Sequence, residues 1–389
     1  MKQNTTYKQT ELGLIPEDWE VKKFNKFSKF YSGGTPLTSK SEYYGGEIPF
    51  IKSGEIYYDR TEQFLTQEGL NNSSAKLVYR GDLLYALYGA NSGEVAISQL
   101  EGAINQAILC IQQNKDEAET IYLYNYLKLE KSNIINKFLQ GGQGNLSADI
   151  IKNLQIPLPP LPEQKKIADC LSTWDVAIEK QSALINALTD RKKALMQQLL
   201  TGKKRLPGFS DEWKEVKLGE ICEIKKGSQI NKIELSSNLG FPVINGGIEP
   251  SGYHDDWNVA ENTITISEGG NSCGFINFIK EKFWSGGHCY TLQNLKININ
   301  KIFLFYFLKN SENQIMKLRV GSGLPNIQQK DIKNFEILLP KIEEQTAIAE
   351  ILTIADRELQ LQKDKLAQLQ QQKKGLMQVL LTGKKRLLN

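Results

Sequence analysis

The sequence predicts an α/β (α+β) chain: two similar mixed α/β domains, separated and joined by two long antiparallel coiled-coil helices in a pseudo-two-fold arrangement. Three observations point there. Residues 161–206 and 342–387 are copies of one another at a constant offset of 181 positions with no gap. Over their last 16 residues, 191–206 against 372–387, 13 pairs are identical, including Leu199, Leu200, Thr201, Gly202, Lys203, Lys204, Arg205 and Leu206. Each copy follows an apolar period of seven, whereas the segments outside the copies hold most of the glycines and aromatics. A repeat long enough to enclose a globular domain implies a two-armed molecule with internal pseudo-symmetry.

The expected order is a first domain over residues 1–160, a central helix over 161–206, a second domain over 207–340 and a final helix over 341–389. In the first domain, apolar stretches at 82–87 and 103–111 bounded by turn residues read as strands, and 120–139 reads as a helix. In the second, 263–266 and 290–292 read as strands and 301–318 as a helix. The two domains are weak copies at their edges. Pro16-Glu17-Asp18-Trp19 opens the first and Ser210-Asp211-Glu212-Trp213 the second; Asn145-Leu146 running into Ile151-Lys152-Asn153 answers Asn326 running into Ile332-Lys333-Asn334. Between them, Gly89-Ala90-Asn91-Ser92-Gly93 resembles Gly269-Gly270-Asn271-Ser272-Cys273-Gly274. Similar frames with dissimilar contents suggest the same kind of task on different targets.

For the helices, steps of four and three select Ile167, Leu171, Trp174, Ile178, Gln181, Ile185, Leu188, Lys192, Leu195 and Leu199 in the first copy. The same register selects Ile348, Leu352, Ala355, Leu359, Gln362, Leu366, Leu369, Lys373, Leu376 and Leu380 in the second. A strict period of seven predicts helices that supercoil around a partner rather than lie on a globular core. Each starts just after a proline (Pro162, Pro340) and stops at Thr-Gly (Thr201-Gly202, Thr382-Gly383), signals in the right order. At about 1.5 Å per residue each spans on the order of 60 Å, the length of a spacer. Antiparallel pairing would bring Gln181 near Gln362, either as a polar register-setting pair or as two residues tolerating partial exposure.

Composition sets wider limits. With 389 residues, 40% apolar and 24% charged, the chain can bury two ordinary cores and is not disordered. No run of 18 apolar residues occurs and Met1 to Thr10 is polar, so a cytoplasmic location is expected, with no membrane partner. The five cysteines are scattered without a Cys-x-x-Cys pair, and the two histidines, His254 and His288, are far apart, so no metal site is expected. The net charge of +4 is mild, but Arg191, Lys192, Lys193, Lys203, Lys204 and Arg205, then Lys373, Lys374, Lys384, Lys385 and Arg386, crowd the helix ends. Two readings stand: cations complementing a helix dipole, or phosphate contact.

Catalytic patterns are missing. Gly202-Lys203 and Gly383-Lys384 lack the glycine five positions earlier and the following Ser or Thr of a phosphate loop. No Asn- or Asp-Pro-Pro-aromatic segment and no strand, Gly-x-Gly and helix unit for a nucleoside cofactor is found. Glu223-Ile224-Lys225 lacks the Pro-Asp that would complete a metal-dependent nuclease site.

The order of globular domain, long helix, globular domain and long helix resembles the specificity subunit of type I restriction-modification systems. So do Leu158-Pro159-Pro160-Leu161-Pro162-Glu163-Gln164 and its echo Leu339-Pro340-Lys341-Ile342-Glu343-Glu344-Gln345, the opening Thr10-Glu11-Leu12-Gly13-Leu14-Ile15-Pro16-Glu17-Asp18-Trp19, and the Leu-Leu-Thr-Gly-Lys-Lys-Arg-Leu tails. The likeness covers essentially the whole chain.

The resemblance implies a DNA-reading subunit without catalysis of its own, each globular domain a target recognition domain for one half of a split double-stranded DNA target. It implies two modification subunits that methylate adenine and restriction subunits that translocate and cut. S-adenosylmethionine, ATP and Mg would sit on those partners and no cofactor on this chain. A stand-alone coiled-coil DNA-binding protein is the alternative. Base reading needs side chains that match groove edges. The candidates are Lys52, Ser53, Tyr88, Asn91, Ser92 and Gln143 in the first domain, and Asn245, Asn271, Ser272, His288, Arg319 and Asn326 in the second. For each, a turn-stabilising role stands beside base contact.

Overall fold

The structure, a computed structural model, describes residues 6–138, 145–321 and 325–387. The chain divides into two compact units, Met1–Gln181 with Lys365–Asn389, and Ser182–Asp364. The division runs through both long helices, Leu161–Leu199 and Ile342–Leu380, each 39 residues. Each unit therefore holds one globular domain and two half-helices. Within each, the half-helices are antiparallel. In the first unit Asp175 meets Lys373 and Glu163 meets Arg386; in the second Lys192 meets Asp356 and Arg205 meets Glu344, numbers rising on one strand of the pair as they fall on the other.

The first unit centres on a four-stranded antiparallel sheet in the order Ser28–Ser32, Ile108–Gln113, Leu83–Ala86, Val95–Ile97. A second sheet runs Phe64–Leu65, Tyr44–Ile51, Gly102–Ile104, Lys76–Val78, and Glu20–Lys23 pairs with Gln155–Leu158 to close the domain. The second unit repeats the central sheet as Glu223–Lys226, Cys289–Gln293, Thr263–Ser267, Ile276–Ile279, and the closing pair as Lys214–Lys217 with Glu336–Leu339. Its smaller sheet has three strands, Tyr253–His254, Phe241–Ile244 and Trp284–Ser285.

Two expected elements are broken. The stretch 103–111 is two strands, Gly102–Ile104 and Ile108–Gln113, in different sheets. Asn105 makes the turn: its side-chain oxygen accepts from the Ala107 N–H at 3.1 Å, the local bond that lets Asn leave an extended run. The stretch 301–318 is Lys301–Asn310 followed by Glu312–Met316, divided at Ser311, whose N–H returns to Phe307 and Leu308 carbonyls. The helix expected over 120–139 is Thr120–Phe138.

The seven-residue seam serves two purposes. Its ends are core: Ile167, Leu171 and Leu380 pack with Trp19, Phe24 and Tyr122 in the first unit, and Leu199, Ile348 and Leu352 with Phe303 and Ile337 in the second. Fully burying each such side chain contributes roughly 1.5–3 kcal/mol. The expectation that these helices avoid a globular core is corrected accordingly: a heptad pattern reports a buried stripe without saying what covers it. The stops are as expected, with Gly202 and Gly383 at φ +69° and +72°, a left-handed conformation natural to glycine.

Candidate nucleic-acid interface

In the second unit, loops at the ends of the central strands converge. Asn245 accepts from the His288 N–H at 3.1 Å, and the Gly246 carbonyl accepts from the Ser267 and Ser272 hydroxyls at 2.6 and 2.5 Å. Asn326 exchanges two backbone bonds with Val320, and Gly270 N–H reaches the Pro325 carbonyl at 3.1 Å. Asn245, Ser272, His288 and Asn326 are thus brought together. Asn271 and Arg319 are exposed beside them. Ser272 and the Asn245 oxygen serve the loops themselves, whereas the His288 side chain is 58% exposed.

In the first unit, a Cβ on Gly54 would stand 3.5 Å from the Asn91 amide nitrogen, so the loop of Lys52 and Ser53 adjoins the loop of Tyr88 and Asn91. Lys52 and Ser53 are half-buried, and the Lys52 N–H donates to the Glu55 carboxylate at 3.0 Å. Tyr88 is exposed. Ser92 is buried, its hydroxyl donating to the Gly89 carbonyl at 2.8 Å and reaching the Leu87 carbonyl at 3.2 Å. That is a turn-holding position, the role that stood beside base contact in the sequence. Gln143 lies outside the described residues.

Sequence reasoning passed over the aromatics here. Tyr57, Tyr58 and Tyr79 are exposed. The Tyr57 hydroxyl and the Lys131 ammonium both meet the Glu94 carboxylate. Burial works to raise that carboxyl, but Lys131 and Tyr57 hold it below the usual range. Burial also raises the Tyr57 phenol. The adjacent pair Tyr57-Tyr58 was the available signal.

The two sites share one backbone frame. In the first unit the N–H groups of Leu87, Gly93 and Leu146 donate to the carbonyls of Ala107, Ala86 and Leu87. In the second, those of Glu268, Gly274 and Ile327 donate to His288, Ser267 and Glu268, every partner 181 positions on. The Cys273 thiol meets the Glu268 carbonyl at 3.1 Å as the Ser92 hydroxyl meets Leu87. The structural counterpart of Ser92 is therefore Cys273, and that of Asn91 is Ser272, one residue out from the Asn-Ser resemblance of the sequence.

Where helix meets domain, the two units repeat one set of contacts. Arg386 holds Glu163 with Nε and Nη2, both at 2.7 Å, and the Trp19 indole N–H joins at 3.1 Å. Arg205 holds Glu344 at 2.7 and 2.7 Å, with Trp213 at 3.1 Å. Gln164 accepts from Glu119 N–H and donates to the Glu117 and Pro159 carbonyls, as Gln345 does with Asn300, Asn298 and Pro340. The Glu-Gln motif is a joint.

The seam positions Trp174, Ile178, Ile185, Leu195, Gln362, Leu366, Leu369 and Leu376 are half-buried, and Gln181, Leu188, Leu359 and Leu380 are buried. Its two lysines pair across the half-helices, Lys192 with Asp356 and Lys373 with Asp175. With Arg191 on Glu358, Arg205 on Glu344 and Arg386 on Glu163 and Asp18, five basic residues of the helix ends are held by carboxylates of their own unit. Ion pairing within the unit is a role for these five beyond the two read from the sequence.

Among the described residues no group of three or more His, Cys, Asp or Glu could hold a metal ion, and no helix is long and apolar enough to cross a membrane. Glu223 is engaged by Lys225 and Asn294.

The sequence model of the type I restriction modification DNA specificity domain matches residues 16–190 and again 210–371. The chain belongs to this family. Among its relatives is the specificity subunit of the type I restriction enzyme MjaVIII of Methanocaldococcus jannaschii, 28% identical, the match covering 96% of this chain and 95% of that one. Another is the putative type I restriction enzyme MjaX specificity subunit of the same organism, 28% identical over 97% and 96% of the two chains. The fold is that of the type I restriction-modification S subunit from M. genitalium, with a TM-score of 0.65, 18% identity, and 98% and 97% of the two chains covered. As a type I specificity subunit, the chain uses the family's domain twice.

Proposed function

We propose that the chain reads a split DNA target, with the domain over residues 1–160 reading one half and that over 207–340 the other, and that it does so without catalysing a reaction. Modification subunits carrying S-adenosylmethionine, two to each chain, methylate adenines at that target, and restriction subunits using ATP and Mg complete the cytoplasmic assembly. This chain supplies specificity and attachment.

The observation that supports this reading is one hydrogen-bonded frame used twice with different side chains at equal places, Leu87 against Glu268 and Ala107 against His288. A shared frame with changed surface chemistry suits two readers of different base sequences, since phosphate contacts set register and base-edge contacts set sequence. The test is co-expression with the cognate modification subunits and mapping of methylated adenines across a genome. A single motif of two defined halves around undefined bases is expected; an unbroken motif, or none, overturns the proposal.

A further inference from the structure

Four positions of the shared frame carry a polar cluster in the second unit and none in the first. Glu268 stands where the first unit has Leu87, and His288 where it has Ala107. On the paired strands Tyr290 opposite Lys226 replaces Leu109 opposite Ser32. The Lys226 ammonium meets Glu268 Oε1 at 2.6 Å and the Tyr290 hydroxyl donates to the same oxygen at 3.0 Å. The Glu268 side chain is only 5% exposed, and its other oxygen, Oε2, has no hydrogen-bond partner among the described residues. The His288 Nδ1 faces it at 3.4 Å, in contact but without a hydrogen bond's geometry.

A carboxylate in a site that a leucine fills equally well is costly to desolvate, and more so with one oxygen unsatisfied. The first unit builds the same sheet, turn and loop closure without it, so the frame does not require the cluster. What it adds is a buried carboxylate oxygen facing the His288 ring. A histidine that donates Nδ1–H to a buried carboxylate has its tautomer fixed, leaving Nε2 as a bare acceptor on the other edge of the ring. Here that ring is largely exposed, among the loops of Asn245, Ser272 and Asn326.

Resting on the reading above, we propose that His288 is a base-reading residue of the second domain and that Glu268 is its positioning residue. With Nε2 as acceptor, the matching base edge is the exocyclic amino group of adenine or cytosine in the major groove. Lys226 and Tyr290 hold the far oxygen of Glu268, leaving the near one to His288.

The test compares methylated-adenine maps for the complex of the full chain with its modification subunits, in the unaltered form and as His288→Ala, Glu268→Gln and Glu268→Leu. His288 is exposed, so His288→Ala folds; Glu268→Leu restores the residue of the first unit. All three are expected to raise methylation of wrong-base sites about tenfold at one and the same position of the second half-target, an adenine or cytosine in the parent, with the first half-target unchanged. If the unaltered complex yields a split motif that every variant keeps, this inference fails and the reading above survives. A split motif that is absent from the unaltered complex sinks both. A uniform loss of methylation with no relaxed position would mean phosphate contact and overturn base reading, as would relaxation at a parental guanine for the acceptor role.

Discussion

Arg386 clasps Glu163 through two bonds of 2.7 Å, and Arg205 clasps Glu344 through two of the same length. In both units the guanidinium comes from the Lys-Lys-Arg-Leu segment after one helix and the carboxylate from the first turn of the other. The Arg386 and Glu163 side chains are 8% and 4% exposed, so the pair is buried and bidentate.

Removing one member should therefore leave an uncompensated buried charge. Arg386→Leu is expected to lower the unfolding free energy by about 3–5 kcal/mol, and Arg386→Leu combined with Glu163→Leu by markedly less. Urea unfolding of the two variants checks this; equal losses would mean the pair acts only through packing.

The same arginine sets an acid limit. Its hydrogen bond holds the Asp18 carboxyl below the ordinary value of 3.8, against the opposing effect of burial. A depressed carboxyl contributes stability that is present above its unfolded pKa and is lost as pH falls through the folded one. Below about pH 4 the protein should lose stability with a steeper slope than Asp18→Asn does. Unfolding midpoints between pH 5 and 3 measure the difference, and superimposed curves would exclude Asp18.

Lys373 occupies a seam position, yet its side chain is 8% exposed and its ammonium lies 2.5 Å from Asp175. Asp175→Ala should cost about 1–3 kcal/mol by stranding that ammonium, and adding Lys373→Met should recover most of it. A double-mutant cycle gives the coupling; a coupling of zero would leave the lysine without a role in the pairing.

Sequence-identical glycines should differ in tolerance. Gly202 and Gly383 share a left-handed φ, so alanine at either strains the backbone by about 1–3 kcal/mol. A Cβ on Gly383 would also meet Pro16 at 2.3 Å, whereas one on Gly202 finds Trp213 no closer than 3.7 Å. Gly383→Ala is expected to lower the melting temperature several degrees further than Gly202→Ala; the reverse order would contradict the packing described.

The helices were legible because their signals are local and doubled, the period and the stopping glycine above all; the proline precedes the second helix but lies in the first turn of the first, which begins at Leu161. Their antiparallel pairing was legible too, but the ion pairs across it were not, because Lys192 meets a residue 164 positions away and Lys373 one 198 positions away. The site loops were legible only as loops. Ser92 turns inward and Asn271 outward, a matter of backbone direction that residue type does not record. Glu268 passed unnoticed in Ser267-Glu268-Gly269 as an ordinary strand-end residue. Carrying the offset of 181 beyond the helices would have aligned it with Leu87, inside an apolar run, and exposed the anomaly.

If the two domains are independent readers on one frame, one can be exchanged for a copy of the other. Replacing residues 210–337 by a second copy of 16–156 joins the frame at equivalent positions. Methylated-adenine mapping of the resulting complex should show a target in which the first half-sequence appears twice and the second has vanished. A target that keeps its original second half, or changes in both halves, would mean that the domains do not read independently.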